Sequence, residues 1–417
     1  MPKPPIDSDR LWNDLMALAA ITDPDKPYTR RSFSPLFLKG REWLKQRFEE
    51  AGLKVRLDTA ANLIGRLDGA EPDAPTIMLG SHSDTVPSGG RFDGPAGVLA
   101  ALEVVRAMKA ASYTPRHAIE IVDFLAEEPS EYGISCVGSR GMAGVLDDKM
   151  LVYTNAAGEK LSDAINLVGG DVAHLDRARR SDIAGYLELH IEQGVVLQNN
   201  KIDLGLVTAI VGITRIEIMF EGAADHAGTT LMDYRKDASL AAAQLMLFVN
   251  ERANAFAARK DGHFVATTGI FTIEPNASNV VPGRARLVLD IRAEDHAMIG
   301  EFLAALDAES QAIAGRTHVK RAQYNVLSST TPTICDKHLL DLLRRGAEAL
   351  GYSTMPLASG AGHDAAFVAR IAPSAMLFIP CRDGKSHAPE EWTEKHQVAA
   401  GAATLYEAVR LLDGRNR

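Results

Sequence analysis

The stretch GSHSDTVPSGGRFDGPAGVLA, residues 80–100, decides how the rest of the chain is read. Apolar APTIML (74–79) runs into it, and the helical pattern GVLAALEVVRAMKA (97–110) runs out of it. A strand therefore ends, a loop carrying His82, Asp84 and Asp93 follows, and a helix begins. Glycines and prolines at this density suit a loop that folds its polar side chains around something small and charged.

The same kind of ending recurs elsewhere. AIEIVDFLAEE (118–128) closes on Glu127 and Glu128, AGYLELHIE (184–192) carries His190, and SAMLFIP (374–380) is followed by His387. Strands alternating with helices predict a wound, mainly parallel α/β sheet, and in such sheets ligands gather at the carboxyl ends of the strands. One histidine on a strand is commonly structural, because neutral imidazole is buried with a single hydrogen bond. The coincidence at four strand ends points instead to a metal site. Three imidazoles with two or three carboxylates suit zinc, manganese, cobalt or nickel better than an all-oxygen calcium cage. Two ions fit only if a carboxylate is shared, and Asp93 is the natural bridge. Asp84, two residues past His82, is placed to accept the other N–H of that imidazole, or simply to cap a turn.

If the strand continues through Glu127 and Glu128, the two acids face opposite sides; one then binds metal and the other faces the substrate water. A bound metal lowers the pKa of its water towards about 7, and a nearby carboxylate takes the proton. Other chemistries are poorly represented. SGGRFDG lacks the Gly-Lys-Ser/Thr ending of a phosphate loop, no G-x-S-x-G elbow occurs, and Cys136 has no nucleophile signature around it. His363 and Asp364 of SGAGHDA are placed to cap a helix beginning at DAAFVA.

At 417 residues the chain is expected to hold two domains. Around residue 212 the texture changes to strand, long helix, two strands, helix and strand, a βαββαβ order that forms a small ferredoxin-like α+β domain by itself. The expected organisation is a catalytic domain over 1–211 and 326–417, interrupted by an inserted domain over 212–325. A formal net charge of −9 without a basic block argues against nucleic acid. No apolar run is long enough to span a bilayer, and no signal-like start precedes the first helix, so a cytoplasmic protein is expected. Cys136, Cys335 and Cys381, odd in number and far apart, fit a reducing compartment and small buried roles.

GSHSDTVPSGGRFDGPAGVLA, the Glu pair followed by GSRGMAG, LHIEQG, HAGTTLMDYRKDA, PNASNVVPG, DIR, SGAGHDA and GKSHAPEE together resemble the M20 metallopeptidase superfamily. The resemblance is to its amidohydrolase branch of N-carbamoyl-L-amino-acid hydrolases, β-ureidopropionases and allantoate amidohydrolases, and runs in order from about residue 10 to 410. It implies two divalent ions per chain held by His82, Asp93, Glu128, His190 and His387, with Asp93 bridging and Glu127 as general base. It further implies that the insert is a lid that also forms a homodimer. His226 would stabilise the developing oxyanion, often across the dimer. Asn279 and Arg292 would grip a substrate carboxylate, with Gln193 and the backbone around Gly360 and Gly362 lining the pocket. The chain departs from the branch at EEPSEYGISCVGSRG, where a glycine and an Arg-Phe step usually follow the Glu pair, and at Leu231, where HAGTT is usually followed by proline.

The expected reaction is therefore hydrolysis of a linear amide or ureido C–N bond. For an N-carbamoyl-L-amino acid the products are the amino acid, CO2 and ammonia. An amidase or dipeptidase on another acyl or aryl amide is the alternative within the class, and a non-catalytic metal-binding homologue is the alternative outside it.

Overall fold

The computed structural model describes residues 4–414. Its strands are β1 (Lys54–Leu57), β2 (Leu63–Leu67), β3 (Thr76–His82), β4 (Ile119–Phe124), β5 (Ile183–Ile191), β6 (Leu204–Ile210), β7 (Gly212–Glu221), β8 (Phe264–Glu274), β9 (Arg284–Ala293), β10 (Lys320–Ser329), β11 (Thr333–Ile334), β12 (Thr354–Ser359) and β13 (Ser374–Ile379). The chain divides into two compact units. One runs to Thr208 and resumes over Cys335–Leu357 and from His363 onward; the other takes in Ala209–Ile334 and Ala358–Gly362.

The first unit is built on a sheet ordered β1-β2-β4-β3-β5-β13-β6, with β12 also beside β6. Its middle is parallel: β3 pairs with β4 and β5, and β5 with β13. Every residue of β3, β4 and β13 is buried, which is why these strands read as near-continuous apolar runs rather than as alternation. The flanks are antiparallel, β2 on β4 and β6 on β13. The helix Pro95–Ala110 starts on a proline at its first turn, where the missing N–H costs nothing, and it buries almost every side chain. Such an all-round apolar helix needs cover on both sides: β3 and β5 take one, and the helices Ser8–Ala19 and Lys395–Asp413 the other.

The second unit is the βαββαβ fold, its antiparallel sheet ordered β10-β7-β9-β8. Period-two patterning sets its faces. Ala285, Leu287, Leu289 and Ile291 of β9 are fully buried in the core formed with the helices Ala238–Ala257 and His296–Arg316, which turns the even-numbered Arg286, Asp290 and Arg292 to the opposite face. This unit begins at Ala209 and continues through Ile334, whereas the sequence pattern marks 212–325, because β10 itself runs on to Ser329.

Among the described residues no helix is long and apolar enough to cross a membrane. All three cysteines are buried.

Candidate metal centre

The parallel register of β4, β3, β5 and β13 brings their carboxyl ends to one edge, and the polar residues collect there. His82 is the last residue of β3 and pairs with Phe124, the last of β4; His190 in β5 pairs with Phe378 in β13. Glu127 and Glu128 lie just past β4, Asp93 lies just before the helix Pro95–Ala110, and His387 lies in the loop after β13.

Two three-residue groups result, each with ligand atoms mutually within 4.8 Å: His82, Asp93 and His190, and Asp93, Glu128 and His387. Asp93 belongs to both. Its Oδ1 stands 3.1 Å from His190 Nε2 and 3.6 Å from His82 Nε2, and its Oδ2 stands 3.3 Å from His387 Nε2. His387 Nε2 is also 3.3 Å from Glu128 Oε1. Ligands about 2.1 Å from a tetrahedral ion are about 3.4 Å from one another, so these spacings fit ions of that size. The tautomers agree. His82 Nδ1 faces the Asp84 carbonyl at 3.1 Å and His190 Nδ1 the Ile191 carbonyl at 2.9 Å, which leaves both Nε2 atoms buried without a hydrogen bond.

Burial works against charge on His82, but Glu127, Asp84 and Asp93 hold the imidazole well above its ordinary range. Asp93 is likewise buried, yet His190, His387 and His82 hold its carboxyl well below the usual carboxylate range. Hydrogen bonds to Asp93 and Glu128 push His387 up to about 11. Protons on imidazoles thus balance the carboxylates, and a cation must displace them, since only neutral imidazole ligates. Metal affinity is therefore expected to rise with pH, with proton release detectable by calorimetry in buffers of differing ionisation heat. Uptake independent of pH between about 6 and 8 would be the contrary result.

Two sequence expectations change in detail. Asp84 serves more than His82: its buried carboxylate accepts the backbone N–H groups of Glu127 and Glu128, each at 3.2 Å, and also stands 3.4 Å from His82 Nδ1, which the Asp84 carbonyl faces at 3.1 Å. Strand alternation is also not what separates Glu127 from Glu128, because β4 has already ended at Phe124. The clamp by Asp84 fixes both backbones, and the side chains then diverge, Glu127 Oε2 to 3.6 Å from His82 Nε2 and Glu128 Oε1 to His387. Burial pushes the Glu127 carboxyl well above its ordinary value. Gly94, at φ +81°, leaves no room for a side chain: a Cβ there would stand 2.4 Å from the His82 ring.

Gln193 sits closer to the candidate ligands than a pocket-lining role implies, with Nε2 donating to Asp93 Oδ2 at 2.6 Å. The His363 ring packs edge-on to His190 at 4.5 Å between centroids, and the His363 carbonyl accepts the Ala366 N–H at 3.0 Å. Asp364 stands at the N-cap position of the short helix Ala365–Val368 without capping it, and accepts instead from Ser139 Oγ at 2.5 Å. Residues the sequence reading missed are Glu188, held by Ser81, Tyr186 and the Ala365 N–H, and the pair Ser386 and Glu391. Glu188, two residues before His190 on a buried strand, was detectable as an acid in an apolar run.

His226, Asn279, Arg292, Gly360 and Gly362 belong to the second unit. There HAGTT and PNASNVVPG meet: His226 bridges to Val280, and the Ala227 N–H donates to the Asn279 carbonyl at 2.9 Å. His226 Nδ1 accepts the N–H groups of Gly228 and Thr229 at 3.0 and 3.2 Å, so the ring carries its proton on the exposed Nε2. Arg292 is not simply solvated. Its Nε donates to Asp290 Oδ1 and its Nη1 to the Gly360 carbonyl, both at 2.8 Å.

A wound α/β sheet carrying two ligand groups that share one aspartate, with an inserted ferredoxin-like unit, is the architecture of a metal-dependent hydrolase. The chain belongs to peptidase family M20/M25/M40, whose model matches residues 78–411, and with its relatives it is an amidohydrolase acting on C–N bonds other than peptide bonds. It is 37% identical over 407 residues to the N-carbamoyl-L-amino acid amidohydrolase of Geobacillus stearothermophilus, covering 97% of this chain and 98% of that one. It is 35% identical over 410 residues to the ureidoglycolate hydrolase of Arabidopsis thaliana, covering 96% and 85%. Among solved structures, a hydantoinase/carbamoylase family amidase from Burkholderia ambifaria superposes with a TM-score of 0.90 at 34% identity, covering 100% of both chains. The family is metal-dependent, and the two groups around Asp93 are the candidate ligands here.

Proposed function

We propose that the protein hydrolyses an N-carbamoyl-L-amino acid to the amino acid, CO2 and ammonia, with two divalent ions that His82, His190, Glu128, His387 and the shared Asp93 would hold. The observation that carries the reading is the shared Asp93 between two tetrahedrally spaced ligand groups, with the Glu127 carboxylate beside them and in neither group. The 37% identical relative supports the substrate class. Zinc, manganese, cobalt and nickel all suit this nitrogen and oxygen donor set.

Ions bound there would supply Lewis-acid polarisation of the scissile carbonyl and acidification of water. Glu127 takes the proton of the attacking water and delivers it to the amino-acid nitrogen as its bond to the ureido carbon breaks; the carbamic acid released falls apart to CO2 and ammonia. His226 offers its Nε2 proton to the oxyanion, and Arg292 with Asn279 holds the substrate carboxylate. Gln193 and the backbone at Gly360 and Gly362 line the pocket.

The discriminating experiment is a screen of metal-reconstituted protein against N-carbamoyl amino acids, ureidopropionate, allantoate, ureidoglycolate and N-acyl amino acids. Preference for allantoate or ureidoglycolate would favour the second reading, which the 35% identical plant relative supports. Turnover of none would leave a metal-binding homologue. Elemental analysis after reconstitution and desalting is expected to give about two ions per chain.

In this reading the inserted unit is a lid and the homodimer contact, in a cytoplasmic enzyme. Exposed apolar side chains on that unit, Leu240 and Leu247 on its first helix and Val326 and Leu327 on the edge strand β10, support an association surface. If His226 completes the neighbour's site, mixing inactive His226→Ala with inactive Glu127→Gln restores partial activity once subunits exchange. No recovery despite demonstrated exchange would confine His226 to its own subunit.

A further inference from the structure

The buried carboxyl group of Glu391 is used by nothing described so far, yet it has no contact with water and three hydrogen-bond partners. Its Oε1 accepts the backbone N–H of Phe92 at 2.8 Å and that of Asp93 at 3.1 Å. Its Oε2 lies 2.9 Å from Ser386 Oγ, which lies 2.6 Å from Asp93 Oδ2. One side chain thus grips Asp93 twice, by its backbone and, through Ser386, by its carboxylate. Ser386 also immediately precedes His387. The loop after β13 and the loop after β3 are fastened to each other at this point.

The fastening is tight. A Cβ on Gly90 would stand 1.9 Å from the Glu391 carboxyl carbon, so SGGRFDG needs a glycine there for a spatial reason. Around it Phe92 packs against Trp12 and Trp392, with ring centroids 5.5 and 5.6 Å away. Burying an acid is unfavourable unless its acceptors are used; Oε1 accepts two backbone N–H groups, and Oε2 meets the Ser386 hydroxyl, whose single proton it shares with Asp93 Oδ2.

We infer that Glu391 is a positioning residue that, with Ser386, sets Asp93 and His387 at the spacing needed to hold the ion of the Asp93–Glu128–His387 group. The side selectivity follows from the oxygens. Ser386 acts on Oδ2, the oxygen that faces His387 at 3.3 Å, whereas Oδ1 faces His82 and His190. Losing the clamp loosens one of the two side-chain donors on Oδ2, leaving Gln193 Nε2 at 2.6 Å to hold that oxygen, and so weakens its aim at His387. The other group keeps two imidazoles fixed by main-chain carbonyls. Partners that orient metal ligands from behind are commonly worth about 10–100-fold in metal affinity.

The inference rests on the two-ion reading, and the experiment separates the two. Metal-free protein is titrated with Mn2+ or Zn2+ in a calorimeter, with circular dichroism and thermal melting of the metal-free chain as fold controls. The wild-type chain is expected to take up two ions. Glu391→Ala is expected to bind one of them about 10–100-fold more weakly and the other within about threefold. Glu391→Gln is expected to stay within about threefold for both, because its amide oxygen still accepts the two N–H groups. Its NH2 donates to Ser386 Oγ, which leaves the single hydroxyl proton to Asp93 Oδ2.

Should Glu391→Ala fail to fold, Ser386→Ala makes the same cut between Glu391 and the Asp93 carboxylate, with an expected loss of about tenfold at one ion. Wild-type affinity for both ions in a folded Glu391→Ala, or in Ser386→Ala, overturns the inference. So does equal damage from Gln and Ala at position 391, or equal weakening of both ions. A wild-type chain that takes up one ion or none overturns the two-ion reading itself and this inference with it.

Discussion

Replacing Glu127 with Gln is expected to lower kcat about 10²–10⁴-fold without loss of metal binding, which is the loss typical of removing a general base. The geometry makes the prediction sharp because Glu127 and Glu128 are adjacent and clamped by the same Asp84 carboxylate, yet only Glu128 falls in a ligand group. Glu127 Oε2 faces His82 Nε2 at 3.6 Å, and Oε1 faces the buried thiol of Cys136, also at 3.6 Å. Gln has the same shape and keeps the backbone N–H that Asp84 holds, so what it removes is basicity. Glu128→Ala should do the opposite and lose metal occupancy. Measured kcat and metal content of the two variants decide the matter: near-normal kcat in Glu127→Gln would take the base role away from Glu127.

Substituting Arg292 is expected to cost about 2–4 kcal/mol in kcat/KM, about 30- to 900-fold, on a substrate with a carboxylate. Nε and Nη1 are anchored by Asp290 and the Gly360 carbonyl, and Nη2 makes no hydrogen bond among the described residues. The guanidinium plane is therefore fixed before any ligand arrives, which is the condition for a strong contact. Lys cannot make those two anchoring bonds and meet a carboxylate as well, so Arg292→Lys should resemble Arg292→Ala rather than the wild type. Capture of the carboxylate by a lid would also help exclude water, so kcat should fall with affinity. Kinetics on a carboxylate substrate and its uncharged amide analogue provide the check. Equal losses on both would show that Arg292 does not read the carboxylate.

Much of this was legible in the chain because burial writes itself into hydrophobic period. The runs that became β3, β4, β5 and β13 are buried and mostly apolar since helices cover both faces of a parallel sheet, and each carries its histidine or is followed by its histidine or acids in the next loop. The inserted unit was equally plain, since alternation along β9 separates its buried odd-numbered residues from Arg292. The short strands β1, β2, β6 and β12 were not legible: they are four to seven residues long, lie on the flanks, and carry no distinctive pattern.

The sequence by itself determined the chemistry available: which residues can ligate, that Asp93 must be shared if there are two ions, and that an acid remains over. Those conclusions depend only on residue type and on which strand each residue ends, and both are local. Only the tertiary structure decided how the residues are held. That the carboxylate of Asp84 serves the backbone of two glutamates 43 and 44 residues away, or that Glu391 clamps Asp93 across 298 residues of chain, leaves no periodic trace. A hydrogen bond of this kind depends on where two loops arrive after the sheet has closed, and loop approach is fixed by packing rather than by the neighbours of either residue.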